Sequence, residues 1–217
     1  MNGKKVFLLS HVISERTPLY GGEGSVSLER VKSIDGGDSC NTMRWSFPNH
    51  TGTHVDVPLH FMEKGLSVAD FGPEEWVFNK VSLAEIPDAG PGRMIKMEDL
   101  GDVGDCELLL IKTGFEKNRA GKIYWQDSPG LHPGMVSRLR EKCPSMKAVG
   151  IDFISISNLS NRELGRDAHR LFLENNILLI EDMKLCELVK APRRVIVAPL
   201  IAERADGAPC TVFGVEE

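Results

Sequence analysis

The sequence predicts an α/β fold, a single-domain mixed sheet over residues 1–217 with helices mainly from the second half. Three observations carry this expectation. Short runs rich in Val, Ile and Leu recur along the chain, and helical periodicity is confined to the second half. No fixed-period repeat, low-complexity tract or Pro/Ser-rich linker divides the 217 residues, a length that suits one core.

The β-rich runs are Lys5 to Ser10, Asn41 to Phe47, Thr53 to Val57, Val77 to Leu83 and Leu108 to Lys112, followed by Ala148 to Ile151, Ile177 to Ile180 and Arg194 to Ala198. Helices are expected at Pro133 to Lys142, with Met135, Val136 and Leu139 on one face, and at Asp167 to Glu174, with Leu171 and Phe172 inward. Met183 to Val189 is a third candidate helix. Helices alternating with apolar strands after residue 108 imply a partly parallel layered sheet behind a more purely β first half. The long segment from Gly114 to Pro133, with Tyr124, Trp125 and His132, reads as a lid, an interface arm or a plain surface excursion.

Composition narrows the function. A net charge of -5 and scattered Lys and Arg argue against nucleic acid as a partner. The apolar stretch Val6 to Leu9 is too short for a signal-peptide core and nothing resembles a membrane span, so a cytoplasmic location is expected. Five cysteines without a CxxC pair read as reduced, mostly buried thiols, with nucleophilic catalysis by one of them the lesser alternative.

The chemistry concentrates in His50-Thr51-Gly52-Thr53-His54-Val55-Asp56-Val57-Pro58-Leu59-His60-Phe61. In an extended chain His54, Asp56 and His60 project to one side while Val55, Val57 and Leu59 face the core. Gly52 permits a tight turn that swings His50 back towards His54 and Asp56. Two imidazoles and a carboxylate suit zinc, manganese or iron. Pro58 cannot donate to a ladder, so the strand should end or lie at an edge there, opening the chain near His60 to a cleft. His11 and His132 lack a comparable setting and read as loop residues. Gly21-Gly22-Glu23-Gly24 lacks the Lys and helix of a phosphate loop and reads as a turn.

The segment resembles the signature HxGTHxDxPxHF of the cyclase family of metal-dependent hydrolases, which includes bacterial kynurenine formamidases and isatin hydrolases. The likeness continues through Thr17-Pro18, Thr113-Gly114, Gly150-Ile151-Asp152 with Ser155, and the pair His169 and Glu181. It implies the swivelling β/β/α cyclase-like architecture and a site of one or two divalent ions, zinc expected and manganese the alternative. His50, His54 and Asp56 would form the first ligand group, His169 and Glu181 would complete it, and Asp56 and Glu181 would touch or bridge both ions. His60 would carry protons. Asp152 is a candidate either for orienting a ligand imidazole or for a structural hydrogen bond.

The implied activity is amide hydrolysis, a held ion acidifying water and polarising the carbonyl while His60 passes a proton to the departing amine. An arylformamidase converting N-formylkynurenine to kynurenine and formate in tryptophan breakdown is the leading expectation. A cyclic-amide hydrolase of the isatin type and an inactive metal-binding module are the alternatives. A cupin-like barrel does not match the ligand spacing. Where the formamidases carry an aromatic residue before Pro-Gly, this chain reads Tyr20-Gly21-Gly22, leaving Tyr20 as the candidate substrate contact or an ordinary packing residue. It also reads Ser155-Ile156-Ser157 where relatives have Ser-Ile-Asp, so no family role transfers to Ser157. The expected partners are a small-molecule amide and further copies of the chain, most simply in a homodimer.

Overall fold

The computed structural model describes residues 5–87 and 89–216. Its strands are β1 (Lys5–Leu8), β2 (Ser27–Lys32), β3 (Thr42–Ser46), β4 (His54–Asp56), β5 (Val77–Phe78), β6 (Val81–Glu85), β7 (Met94–Ile95), β8 (Leu108–Lys112), β9 (Gly130–Leu131), β10 (Ala148–Ile151), β11 (Leu178–Glu181), β12 (Arg194–Pro199) and β13 (Gly207–Glu216). The α-helices are α1 (Ile123–Gln126), α2 (Met135–Lys142) and α3 (Arg162–Glu174). This is the mixed α/β architecture anticipated, with every α-helix after residue 108.

The main sheet runs β5-β12-β13-β4-β11-β10-β8-β6, with β1 added on β13. Strands β6, β8, β10 and β11 are parallel neighbours, whereas β4 lies antiparallel to both β11 and β13. The inner parallel strands β8, β10 and β11 are apolar up to their last residue because both faces are covered. Leu109, Ile111, Val149, Ile151 and Leu179 pack into a core with α2 and α3, while Leu108, Leu110, Ala148, Leu178 and Ile180 enter a second core on the opposite face. Residue alternation along each strand thus divides the hydrophobic interior in two.

Helix α2 buries Met135, Val136 and Leu139 as its periodicity requires. Helix α3 begins five residues earlier than the pattern suggested and buries Ala168, His169, Phe172 and Leu173, leaving Leu171 exposed. A buried His169 on the apolar stripe obscured the true period.

Three expectations need correction. Met183 to Val189 forms no helix: Met183 pairs with Ser10 in an isolated bridge, and the Glu116 carboxylate accepts from the amides of Leu185 and Cys186, which supports an irregular path. The segment 114–133 is packed structure rather than a free lid or arm. Tyr124 and Phe115 are buried, and Trp125 packs against the turn at Gly22, where its indole occupies the space a Cβ would need. The element that stands clear is the β2–β3 hairpin, with every β3 residue exposed. The ten-residue strand β13, absent from the expected runs, contains Gly207, Pro209 and Gly214, and these punctuate the apolar pattern.

All five cysteines are free thiols, with Cys106, Cys143 and Cys210 buried and Cys40 and Cys186 exposed. Burial pushes the Cys106 thiol up to about 11 and the Cys210 thiol further, which suits packing rather than nucleophilic chemistry. No helix among the described residues is long and apolar enough to cross a membrane.

Candidate metal centre

The centre lies where β4 ends between β11 and β13. Gly52, at φ 64°, turns the chain in a conformation that disfavours a Cβ, and His50 comes back so that its Nδ1 sits 2.8 Å from Asp56 Oδ1. His54 and Asp56 point from the same face of β4, with Val55 buried on the other. His60 arrives differently from the alternation expected of it. The strand stops at Asp56 and Pro58–His60 forms a 3-10 turn, so His60 is delivered by the turn. Nor is β4 an edge strand, since it has neighbours on both sides; the cleft opens because Pro58 begins that turn.

Glu181 ends β11, opposite His54 in the antiparallel pairing. Its Oε1 accepts from the Ile156 amide at 2.7 Å and from Ser155 Oγ at 3.2 Å, so the loop after β10 clamps the carboxylate. His169 comes from α3, its ring stacked on Phe61 at 4.9 Å between centroids. Asp152 holds no imidazole: it accepts from the amides of Thr113 and Gly114 and from Thr113 Oγ1 at 2.6 Å, tying the end of β8 to β10. Burial raises its pKa to about 6. Its role is the structural alternative, and Thr113-Gly114 is its partner.

The donor set matches a divalent cation. His54 Nδ1 lies 2.8 Å from the Gly52 carbonyl and His169 Nδ1 lies 3.0 Å from the Gly165 carbonyl. A carbonyl only accepts, so each Nδ1 carries the hydrogen and each Nε2 lone pair turns towards the two carboxylates. His54 Nε2 is 3.3 Å from Asp56 Oδ1 and 3.5 Å from Glu181 Oε2, while His169 Nε2 is 3.6 Å from Asp56 Oδ2 and 3.4 Å from Glu181 Oε1. Bonds of about 2.0–2.1 Å arranged tetrahedrally separate their donors by about 3.4 Å. Each carboxylate therefore presents one oxygen to each imidazole.

Electrostatics agree. Burial alone would lower the imidazole of His54 and raise the carboxyl of Asp56, yet their mutual attraction holds His54 well above the usual histidine value and Asp56 well below the usual aspartate value. His169 is likewise carried up to about 10, against its burial, by Asp56 and Glu181. Two acids buried this closely demand positive charge, supplied by protons in the absence of a metal.

The sequence reading missed Asp206. Its Oδ2 lies 2.8 Å from His60 Nδ1 and 3.0 Å from His50 Nε2, and Asn49 Nδ2 donates to its Oδ1 at 2.7 Å. Burial acts against it, but these hydrogen bonds hold its pKa near 2. The available signal was an Asp-Gly pair at the head of a strand that was itself missed. At the adjoining Gly207 a Cβ would stand 2.4 Å from His50 Cε1, so only glycine leaves room for that ring. Tyr20 lines the same cavity of about 330 Å³ as the cluster, with Phe61 and Ile154.

The fold and this cluster define a member of a metal-site family, and residues 7–158 match the family model described as "Putative cyclase". The chain belongs to that cyclase family. It is 26% identical over 211 residues to the kynurenine formamidase of Bacillus cereus, covering 93% of this chain and 92% of that protein. The kynurenine formamidase of Delftia acidovorans is 23% identical over 208 residues, covering 95% of each. Among solved structures, an isatin hydrolase bound to the product analogue thioisatinate superposes with a TM-score of 0.84 at 18% identity, over 98% of this chain and 92% of that one. Isatin hydrolase A from Labrenzia aggregata bound to benzyl benzoate gives 0.83 at 20% identity, over 98% and 94%.

Proposed function

We propose that this chain is a metal-dependent amidohydrolase acting on aryl formamides, with N-formylkynurenine, a product of tryptophan breakdown, the first substrate to test. The observation that carries the reading is the pair of carboxylates, Asp56 and Glu181, each offering one oxygen to His54 and one to His169, beside the His60–Asp206 pair. The formamidase relatives support the substrate class.

His50, His54, Asp56 and Glu181 would hold one ion, and Asp56, His169 and Glu181 a second. Zinc is the proposed ion, and the same nitrogen and oxygen donors also accept manganese. A divalent ion supplies Lewis acidity there, polarising an amide carbonyl and acidifying water towards hydroxide at neutral pH. The chain's own residues handle the protons. Asp206 accepts the Nδ1 hydrogen of His60 and leaves Nε2 as the base, which takes a proton from the attacking water and returns it to the departing arylamine. Tyr20 and Phe61 offer aromatic surface for the aryl group.

A cyclic amide opened by the same donors is the second reading, favoured by the fold shared with the isatin hydrolases. The inactive-module alternative leaves His60 and Asp206 without purpose. Metal per chain and hydrolysis of N-formylkynurenine, formanilide and isatin, before and after chelation and metal return, test these readings. Chelator-sensitive formamide cleavage with about two ions per chain is expected. Isatin cleavage alone selects the second reading, and a metal-free protein that cleaves formamides refutes both. The His60→Ala variant should keep its metal and lose about 10²–10⁴ in kcat.

We also propose that the working form is a homodimer. The β2–β3 hairpin exposes Val31, Met43 and Trp45, and a two-stranded hairpin without a packing partner is marginal in water. Met43 and Trp45 line an apolar groove together with Leu8, Val12 and Leu200, and the apolar surface of a second copy is the occupant that matches it in chemistry.

A further inference from the structure

Helix α3 carries two arginines on the face that bears His169. Arg166 and Arg162 precede His169 by three and seven residues, which places them on one stripe about 4.5 Å and about 10 Å away along the helix axis. Both line the cavity that holds the metal-type cluster. Neither guanidinium makes a hydrogen bond or ion pair among the described residues. Their charge is felt across the cavity at the Tyr20 hydroxyl.

Of the acids on the helix, Asp167 pairs with Arg170 at 3.2 Å, and Glu163, three residues before Arg166, makes no ion pair with it among the described residues. Inside the cavity, Asp56 and Glu181 face the imidazoles, and Asp182 is held by Arg119 at 2.7 Å and by the Tyr124 hydroxyl at 2.5 Å. Ser157, on the same wall, is neutral and hydrogen-bonded to His169 at 3.0 Å. The wall therefore presents two planar, permanently charged donors and no free carboxylate.

We propose that Arg162 and Arg166 are specificity-determining residues that bind a carboxylate of the substrate, selecting aromatic amides with an acid group on a short arm away from the scissile bond. The inference rests on the amidohydrolase reading and narrows its substrate class. Both side chains are exposed at the cavity wall, and a guanidinium fork matches a carboxylate in geometry as well as charge.

Calorimetric binding to the metal-loaded protein tests this without turnover, using 3-benzoylpropanoate and its uncharged isostere butyrophenone. The wild type should prefer the acid by at least about tenfold, R162Q/R166Q should lose that preference with metal content unchanged, and R162K/R166K should recover part of it. A preference kept by R162Q/R166Q would assign the carboxylate to the metals and overturn the proposal, as would a wild type with no preference. Formanilide hydrolysis by the wild type reads the amidase reading separately, because formanilide has no carboxylate. A preference for the acid without cleavage of formanilide, N-formylkynurenine or isatin leaves the arginine site standing and removes the amidase.

Discussion

Asp206 supports two imidazoles with one carboxylate oxygen, His60 at 2.8 Å and His50 at 3.0 Å. Its removal frees the His60 ring to change tautomer, so Asp206→Ala should lower kcat by about 10²-fold with a smaller change in KM, and Asp206→Asn should restore part of the loss. Steady-state kinetics on the metal-loaded variants decide it, and an unchanged kcat would remove Asp206 from the proton path. Gly207→Ala acts by crowding: the new methyl displaces His50 and should weaken metal binding, measurable as a lower metal content after dialysis, with an unaltered content counting against His50 as a ligand. The buried charges also set a pH response. Burial opposes the protonated form of His169, but Asp56 and Glu181 raise its pKa to about 10. A raised histidine contributes stability in full below its unfolded pKa of about 6.5 and loses it as pH climbs towards the folded value. Asp56 and Glu181, held low against their burial, contribute above their unfolded values near 4 and lose that contribution on acidification. The chelated protein should thus be most stable at about pH 4.5–6.5 and its Tm should fall from pH 6.5 to 9, whereas the metal-loaded protein should resist that fall because the ion replaces the protons. Thermal melts with and without chelator test this, and a chelated Tm that rises across that range would contradict it.

The elements that deliver the ligands are fastened by contacts outside the cluster. After β11 the chain passes through Asp182 at φ 51°, a left-handed conformation that aspartate tolerates, and the buried carboxylate is gripped by Arg119 and Tyr124. This ties the segment 114–133 to the residue beside Glu181. Arg119→Ala leaves that buried carboxylate without a counter-charge and with only the Tyr124 hydroxyl donating to it, so a loss of about 3–5 kcal/mol in denaturant unfolding is expected, and a loss below about 1 kcal/mol would mean that solvent reaches Asp182. Strands β8 and β10 were legible to the residue because an unbroken apolar run between turn signals has few other readings. Strand β13 and the start of α3 were not. Glycine and proline in one and a buried histidine in the other are there for close approach and for the site, and they break the patterns that sequence reading depends on.

Across the whole molecule, residues far apart in sequence meet at one point: β4 supplies His54 and Asp56, β11 Glu181, α3 His169, and the entry to β13 places Asp206. The β2–β3 hairpin is a separate feature with β3 exposed along its length. Trp45→Glu should shift the protein from dimer to monomer in sedimentation at micromolar concentration, and a wild type that is already monomeric would remove the dimer proposal. By itself the sequence determined the class of fold and the segment from His50 to His60, because alternation, a permissive glycine and a turn-forming proline are local and act within a few residues. Tertiary structure alone decided that Asp206 reaches His60, that Asp152 serves Thr113 and Gly114, and that Arg162 and Arg166 face the same cavity as the cluster. Those contacts span up to 146 residues, and such distances are closed only when the buried sheet brings its strands into register.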